Sequence, residues 1–104
     1  MKALTTSCVA TLLATAAFCA HANKALAEKQ GCFGCHAVAS KLVGPAYKEV
    51  AAKYADQADA KEQLAKSIRS GGAGRWGDIP MPPQAQLSEA DAKKLAAWIL
   101  GGAK

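Results

Sequence analysis

Cys32-Phe33-Gly34-Cys35-His36 decides the reading of this chain. Two cysteines two residues apart, followed at once by histidine, form the covalent attachment pattern of a c-type haem. Each thiol adds across one porphyrin vinyl group as a thioether, and the imidazole reaches the iron from one face. The spacing suits one helical turn, which sets both sulfurs and the ring against the same side of the macrocycle. A bare C-x-x-C is shared with zinc sites and thioredoxin-like redox pairs. The adjoining histidine separates this chain from both.

Upstream, residues 1–22 read as an export signal. Lys2 supplies the positive start, Ala3 to Ala20 is uncharged, and Ala20-His21-Ala22 gives the small-x-small cleavage pattern. The stretch is short and rich in Thr and Ser, which speaks against a membrane anchor. Phe18 before Cys19 is a poor lipoprotein signal. The expected mature protein is therefore a single periplasmic domain, residues 23–104. Cleavage removes Cys8, Cys19, His21 and Met1, leaving Cys32, Cys35, His36 and Met81 as the only Cys, His and Met residues. A Cys32–Cys35 disulfide is the competing reading in an oxidising compartment, but no thioredoxin-like βαβ pattern accompanies it. Zinc lacks a fourth nitrogen or sulfur donor.

A domain this short builds a marginal core unless a staple, metal or cofactor helps. Its apolar spacing is helical, with no alternating strand signal. Asn23 is placed to cap a first helix running into the Cys-Cys-His motif, with Leu26 and Phe33 on one face. Pro45 suits the first turn of a short helix through Tyr54, in which Tyr47, Val50 and Tyr54 share a face. Asp56 and Asp59 open a third helix that carries Leu64 and Ile68, sets Glu62 toward Lys66 and ends at Gly71-Gly72. Ser88 with Asp91 resembles a capping box, and Leu87 precedes the cap as a hydrophobic staple. Leu95, Trp98 and Ile99 then form one stripe up to Gly101-Gly102. Trp98 is read as core. The expected class is all-α.

Between the last two helices, three prolines in four residues surround Met81, which excludes helix interior and central strand. A lone methionine in a core is ordinarily a gap-filler. Met81, however, sits in a stiffened loop 45 residues beyond His36, and no second histidine competes. His/Met ligation is a known option for haem iron, so Met81 is read as the ligand on the opposite face.

Together with the haem motif, Val43-Gly44-Pro45-Ala46-Tyr47, Trp76-Gly77 and Ile79-Pro80-Met81-Pro82-Pro83 resemble the small bacterial class I cytochromes c of the c-551/c-552 type. The likeness spans the whole segment after the leader. It implies a class I cytochrome c fold of four or five short helices wrapped around one covalently bound haem c. It also implies thioether attachment at Cys32 and Cys35, with His36 and Met81 as axial ligands. Pro45 resembles the proline whose carbonyl accepts the haem histidine's Nδ1 hydrogen, which fixes the tautomer and raises ligand basicity. Trp76 resembles the tryptophan that bonds a haem propionate, with ordinary packing as its other reading. Arg69 and Arg75 are read as solvated surface, with propionate pairing as the alternative. Gln84 stands where relatives often carry Asn near the methionine sulfur.

The same resemblance implies a non-enzymatic, monomeric shuttle of single electrons in periplasmic respiration or denitrification. Its partners would be a periplasmic reductase, a terminal oxidase or a quinol-oxidising complex. Of 13 Lys and Arg only Lys2 lies in the leader, so 12 face 8 Asp and Glu, a formal +4 before haem. A mild positive balance suits transient docking on acidic redox proteins. Dispersed lysines beside acidic residues do not suggest nucleic-acid binding, and no stable membrane insertion is expected. Two rivals remain: a gas-binding haem protein with an open iron position, and a haem subunit of a larger dehydrogenase or reductase.

Overall fold

The computed structural model describes residues 23–104; the expected leader, residues 1–22, lies outside them. The described chain begins in helix α1 (23–29). A single 3-10 turn, Cys32–Gly34, follows, and then come α2 (Tyr47–Tyr54), α3 (Ala60–Ser70) and α4 (Glu89–Leu100). Among the described residues the only extended pairing is an isolated antiparallel bridge, Gly72 with Met81. The all-α class is therefore observed.

Helix α4 is the organising element, packing against both α2 and α3. Its borders follow from local chemistry. Ser88 sits in extended backbone and its Oγ accepts the Asp91 N–H at 3.0 Å, satisfying one of the donors that a helix start leaves open. Leu87 is buried immediately before the cap. At the other end Gly102 N–H bonds the Ile99 carbonyl at 3.0 Å and Ala103 N–H the Trp98 carbonyl at 2.9 Å. That pair of bonds is a Schellman closure, and the buried Ala103 packs beneath it. Leu95, Trp98 and Ile99 are buried as their spacing requires. Trp98 also donates from Nε1 to the Lys104 carbonyl at 3.1 Å.

Tyr47, Val50 and Tyr54 of α2 and Leu64, Ala65 and Ile68 of α3 meet that stripe, with Ala27 from α1. Each fully buried aliphatic side chain contributes about 1.5–3 kcal/mol of transfer free energy. The large members are few, so the core is thin.

Three local expectations are corrected. The first helix does not run into the Cys-Cys-His motif. Gly31 adopts φ 76°, a left-handed conformation that stops α1, and the motif restarts as the 3-10 turn. Leu26 and Phe33 still pack on the core from either side of that break. Pro45 is not in the first turn of α2, because Ala46 is the N-cap; the carbonyl of Pro45 is thereby free for another partner. Glu62 approaches Lys61 at 3.9 Å instead of Lys66, an exposed pair of small energetic weight.

Candidate functional site

The first wall of the site is the motif itself. The 3-10 turn is closed by Cys35 N–H and His36 N–H, both bonded to the Cys32 carbonyl at 3.2 and 3.0 Å. This tight loop brings Cys32, Cys35 and His36 onto one surface. Both thiols are free, with Cys32 half-buried and Cys35 exposed. Burial pushes the Cys32 thiol up from its ordinary value, since desolvation disfavours the thiolate.

The second wall is the segment 44–47. His36 Nδ1 lies 2.8 Å from the Pro45 carbonyl oxygen. A carbonyl can only accept, so Nδ1 carries the proton and the Nε2 lone pair is left free for a metal. Gly44 packs directly against the imidazole, and the Tyr47 ring stacks on it at 5.3 Å between centroids. Tyr47 is 3% exposed, and its buried hydroxyl has the Cys32 thiol as its polar neighbour. Burial and the neighbouring Cys32 thiol both push that hydroxyl's pKa up, so it stays neutral.

The third wall is the proline loop. Met81 is held by its backbone: its N–H donates to the Gly72 carbonyl at 2.8 Å and its carbonyl accepts the Gly72 N–H at 3.1 Å. Gly71, the C-cap of α3, makes this approach possible. At φ 66° and ψ −168° it occupies a backbone region essentially reserved for glycine. A Cβ there would also stand 2.7 Å from Pro83 N. The end of α3 therefore sets where Met81 sits.

Between these walls lies an open cleft with a cavity volume of ≈ 250 Å³. All six residues singled out from the sequence line it: Cys32, Cys35, His36, Pro45, Trp76 and Met81. The rest of the lining is largely apolar, with Leu64 and Ile68 from α3 and Leu95 and Ile99 from α4. Two thiols, one imidazole with a free Nε2, one thioether and an apolar floor suit a covalently attached haem.

On sequence alone Gly44, Tyr47 and Gly72 have no role of their own at the site, and Arg75 reads first as solvated surface, with propionate pairing as the alternative. Gly44 and Tyr47 brace the imidazole, and Gly72 clamps Met81. Among the described residues, Arg75 is the only Lys, Arg, Asp or Glu that lines the cleft. Its guanidinium lies 4.7 Å from the Tyr54 ring centroid. Lys53 sits 4.2 Å over the Trp76 ring and donates to the Arg75 carbonyl at 2.9 Å. These cation–aromatic contacts join α2 to the loop that carries Trp76. Arg69 lies off the cleft, donating from Nε to the Leu87 carbonyl at 3.0 Å. Gln84 is also off the cleft, with its side chain bonded to the Pro82 carbonyl and to Gln86. The only sequence signal for the missed residues was the Gly-Pro pair, whose contact with His36 no spacing rule reveals.

Comparison with known proteins agrees with this architecture. The family described as "Cytochrome c" matches residues 20–103. Cytochrome c-552 of Nitrosomonas europaea is 56% identical over 81 residues, covering 78% of this chain and 79% of that protein. Cytochrome c-551 of Pseudomonas aeruginosa is 51% identical over 90 residues, covering 86% and 85%. The crystal structure of wild-type Nitrosomonas europaea cytochrome c552 superposes with a TM-score of 0.73 at 55% identity, covering 75% of this chain and 96% of that one.

Proposed function

The chain belongs to the cytochrome c family as a small electron-transfer protein with one covalently bound haem c, and from that premise we propose that it is a His/Met-ligated periplasmic shuttle. Cys32 and Cys35 would form the thioether links, His36 Nε2 and the Met81 sulfur would ligate the iron, and Trp76 would bond a propionate. The observation that carries this reading is the convergence of all four donor residues on one apolar cleft, with His36 Nδ1 already committed to Pro45.

The bound haem supplies an iron that gains and loses one electron. Every other property of the transfer comes from the chain. The soft Met81 thioether favours the reduced ion over a second imidazole. The apolar floor disfavours the extra charge of the oxidised ion, and the Arg75 cation on the lining acts in the same direction. With His36 and Met81 both given to the iron, the chain would leave no open position for a substrate, and exchange would be outer-sphere. Exposed Val43 and Ile79 stand at the cleft, and a formal +4 on residues 23–104 favours encounter with acidic redox partners.

Residues 1–22 are the export signal in this reading. Intact mass of protein recovered from the periplasm tests leader and attachment together. The expected result is residues 23–104 plus one haem, resistant to acid-acetone extraction. A chain retaining its leader, or losing haem to acid-acetone, overturns the corresponding half.

A further inference from the structure

Building on the assignment of His36 as an axial ligand, we propose that Gly44 is a positioning residue, forming with the Pro45 carbonyl and the Tyr47 ring a socket that fixes the plane of the His36 imidazole. A Cβ on Gly44 would stand 2.5 Å from His36 Cε1, 2.9 Å from Nδ1 and 3.1 Å from Nε2. Ordinary van der Waals contact begins near 3.4 Å, so any side chain forces the ring to move by about 1 Å or the backbone to retreat. Retreat is blocked. Gly44 N–H donates to the Cys35 carbonyl at 2.8 Å and its carbonyl accepts from Leu42 N–H at 3.1 Å. The next residue holds the imidazole itself through Pro45 O.

Glycine is required here by space and not by backbone conformation, since Gly44 is not among the positive-φ glycines. The space it leaves is occupied by the imidazole. The Tyr47 ring supplies the third contact at an interplanar angle of 19°. It cannot easily yield, because Phe33 and Trp98 meet it edge-on at 5.7 and 5.4 Å. An imidazole has two side-chain torsions, so one hydrogen bond, one close backbone contact and one stacked ring over-determine its plane.

The test uses the holoprotein and nuclear magnetic resonance. The imidazole plane is read from Overhauser contacts between His36 ring protons and haem protons in the reduced protein. The order of the four haem methyl shifts in the oxidised protein gives a second reading. Gly44→Ala is expected to change both while His36 stays bound. Tyr47→Leu adds no bulk and removes the stack, and is expected to disturb the same contacts. Tyr47→Phe keeps the ring and preserves them. Ala96→Gly in α4 lowers the melting temperature without moving them, which separates positioning from general loosening. Parent-like contacts in both Gly44→Ala and Tyr47→Leu overturn the socket. Should the alanine variant fail to load haem, parent-like contacts in Tyr47→Leu alone suffice to overturn it. A parent protein whose His36 ring protons show no haem shift at all overturns the ligand assignment instead, a distinguishable result.

Discussion

Gly71→Ala couples stability to ligation. Gly71 holds φ 66° and ψ −168° at the C-cap of α3, a conformation that costs a non-glycine residue about 1–3 kcal/mol. The added Cβ would further lie 2.7 Å from Pro83 N and 2.9 Å from Pro82 C. Both are backbone atoms in a proline-stiffened loop, which gives way only by moving Met81 with it. A total loss of about 2–4 kcal/mol is expected. For a domain of this size that is a fall of roughly 8–32 °C in Tm, at about 4–8 °C per kcal/mol. Gly72→Ala is the matched comparison: its Cβ meets nothing within 4 Å, and its φ is not in the left-handed region. Thermal unfolding of both holoproteins at 222 nm measures the difference, and the far-red sulfur-to-iron band at 25 °C reports Met81. If Gly71→Ala melts within 2 °C of the parent, on the order of 0.5 kcal/mol or less, with its far-red band intact, the derivation is refuted.

Three other outcomes follow from the same structure. Tyr47→Phe removes a buried hydroxyl whose polar neighbour is the Cys32 thiol, a weak partner, and should change stability by no more than about 1 kcal/mol, seen as a small shift in urea midpoint at unchanged slope. Ser88→Ala deletes the cap on Asp91 N–H and should cost about 1 kcal/mol, by the same measurement and with no change in the haem spectrum. Replacing Cys32 and Cys35 together by Ala should leave any haem extractable by acid-acetone and the apoprotein largely unfolded by circular dichroism. A stable, fully folded double variant contradicts the view that this thin core depends on its cofactor.

The haem motif, the helical class and the α4 borders were legible because each rests on contacts within a few residues. Ser88 finds Asp91 three positions on, and Leu95, Trp98 and Ile99 share a face by helical period alone. What the sequence concealed is long-range or conformational. The break at Gly31 depends on a single left-handed residue inside an otherwise helical pattern. The Gly72–Met81 bridge joins positions nine apart across a loop with no periodicity. Nothing in the one-dimensional pattern distinguishes Gly44, placed against an imidazole, from a glycine that merely turns the chain. Lys53 over Trp76 and Arg75 over Tyr54 were invisible for the same reason, since isolated cations read as solvated surface until the fold brings an aromatic face beneath them.

The central claim is that His36 and Met81 together close the iron to outside ligands. Carbon monoxide titration of the reduced protein at neutral pH, parent beside Met81→Ala, tests it most directly. The account predicts poor binding to the parent, because carbon monoxide must displace an intramolecular thioether held at high effective concentration. It predicts ready binding to Met81→Ala, accompanied by loss of the far-red band and a lower potential. Rapid, tight binding of carbon monoxide to the parent would contradict it and make this an open-iron, gas-binding haem protein.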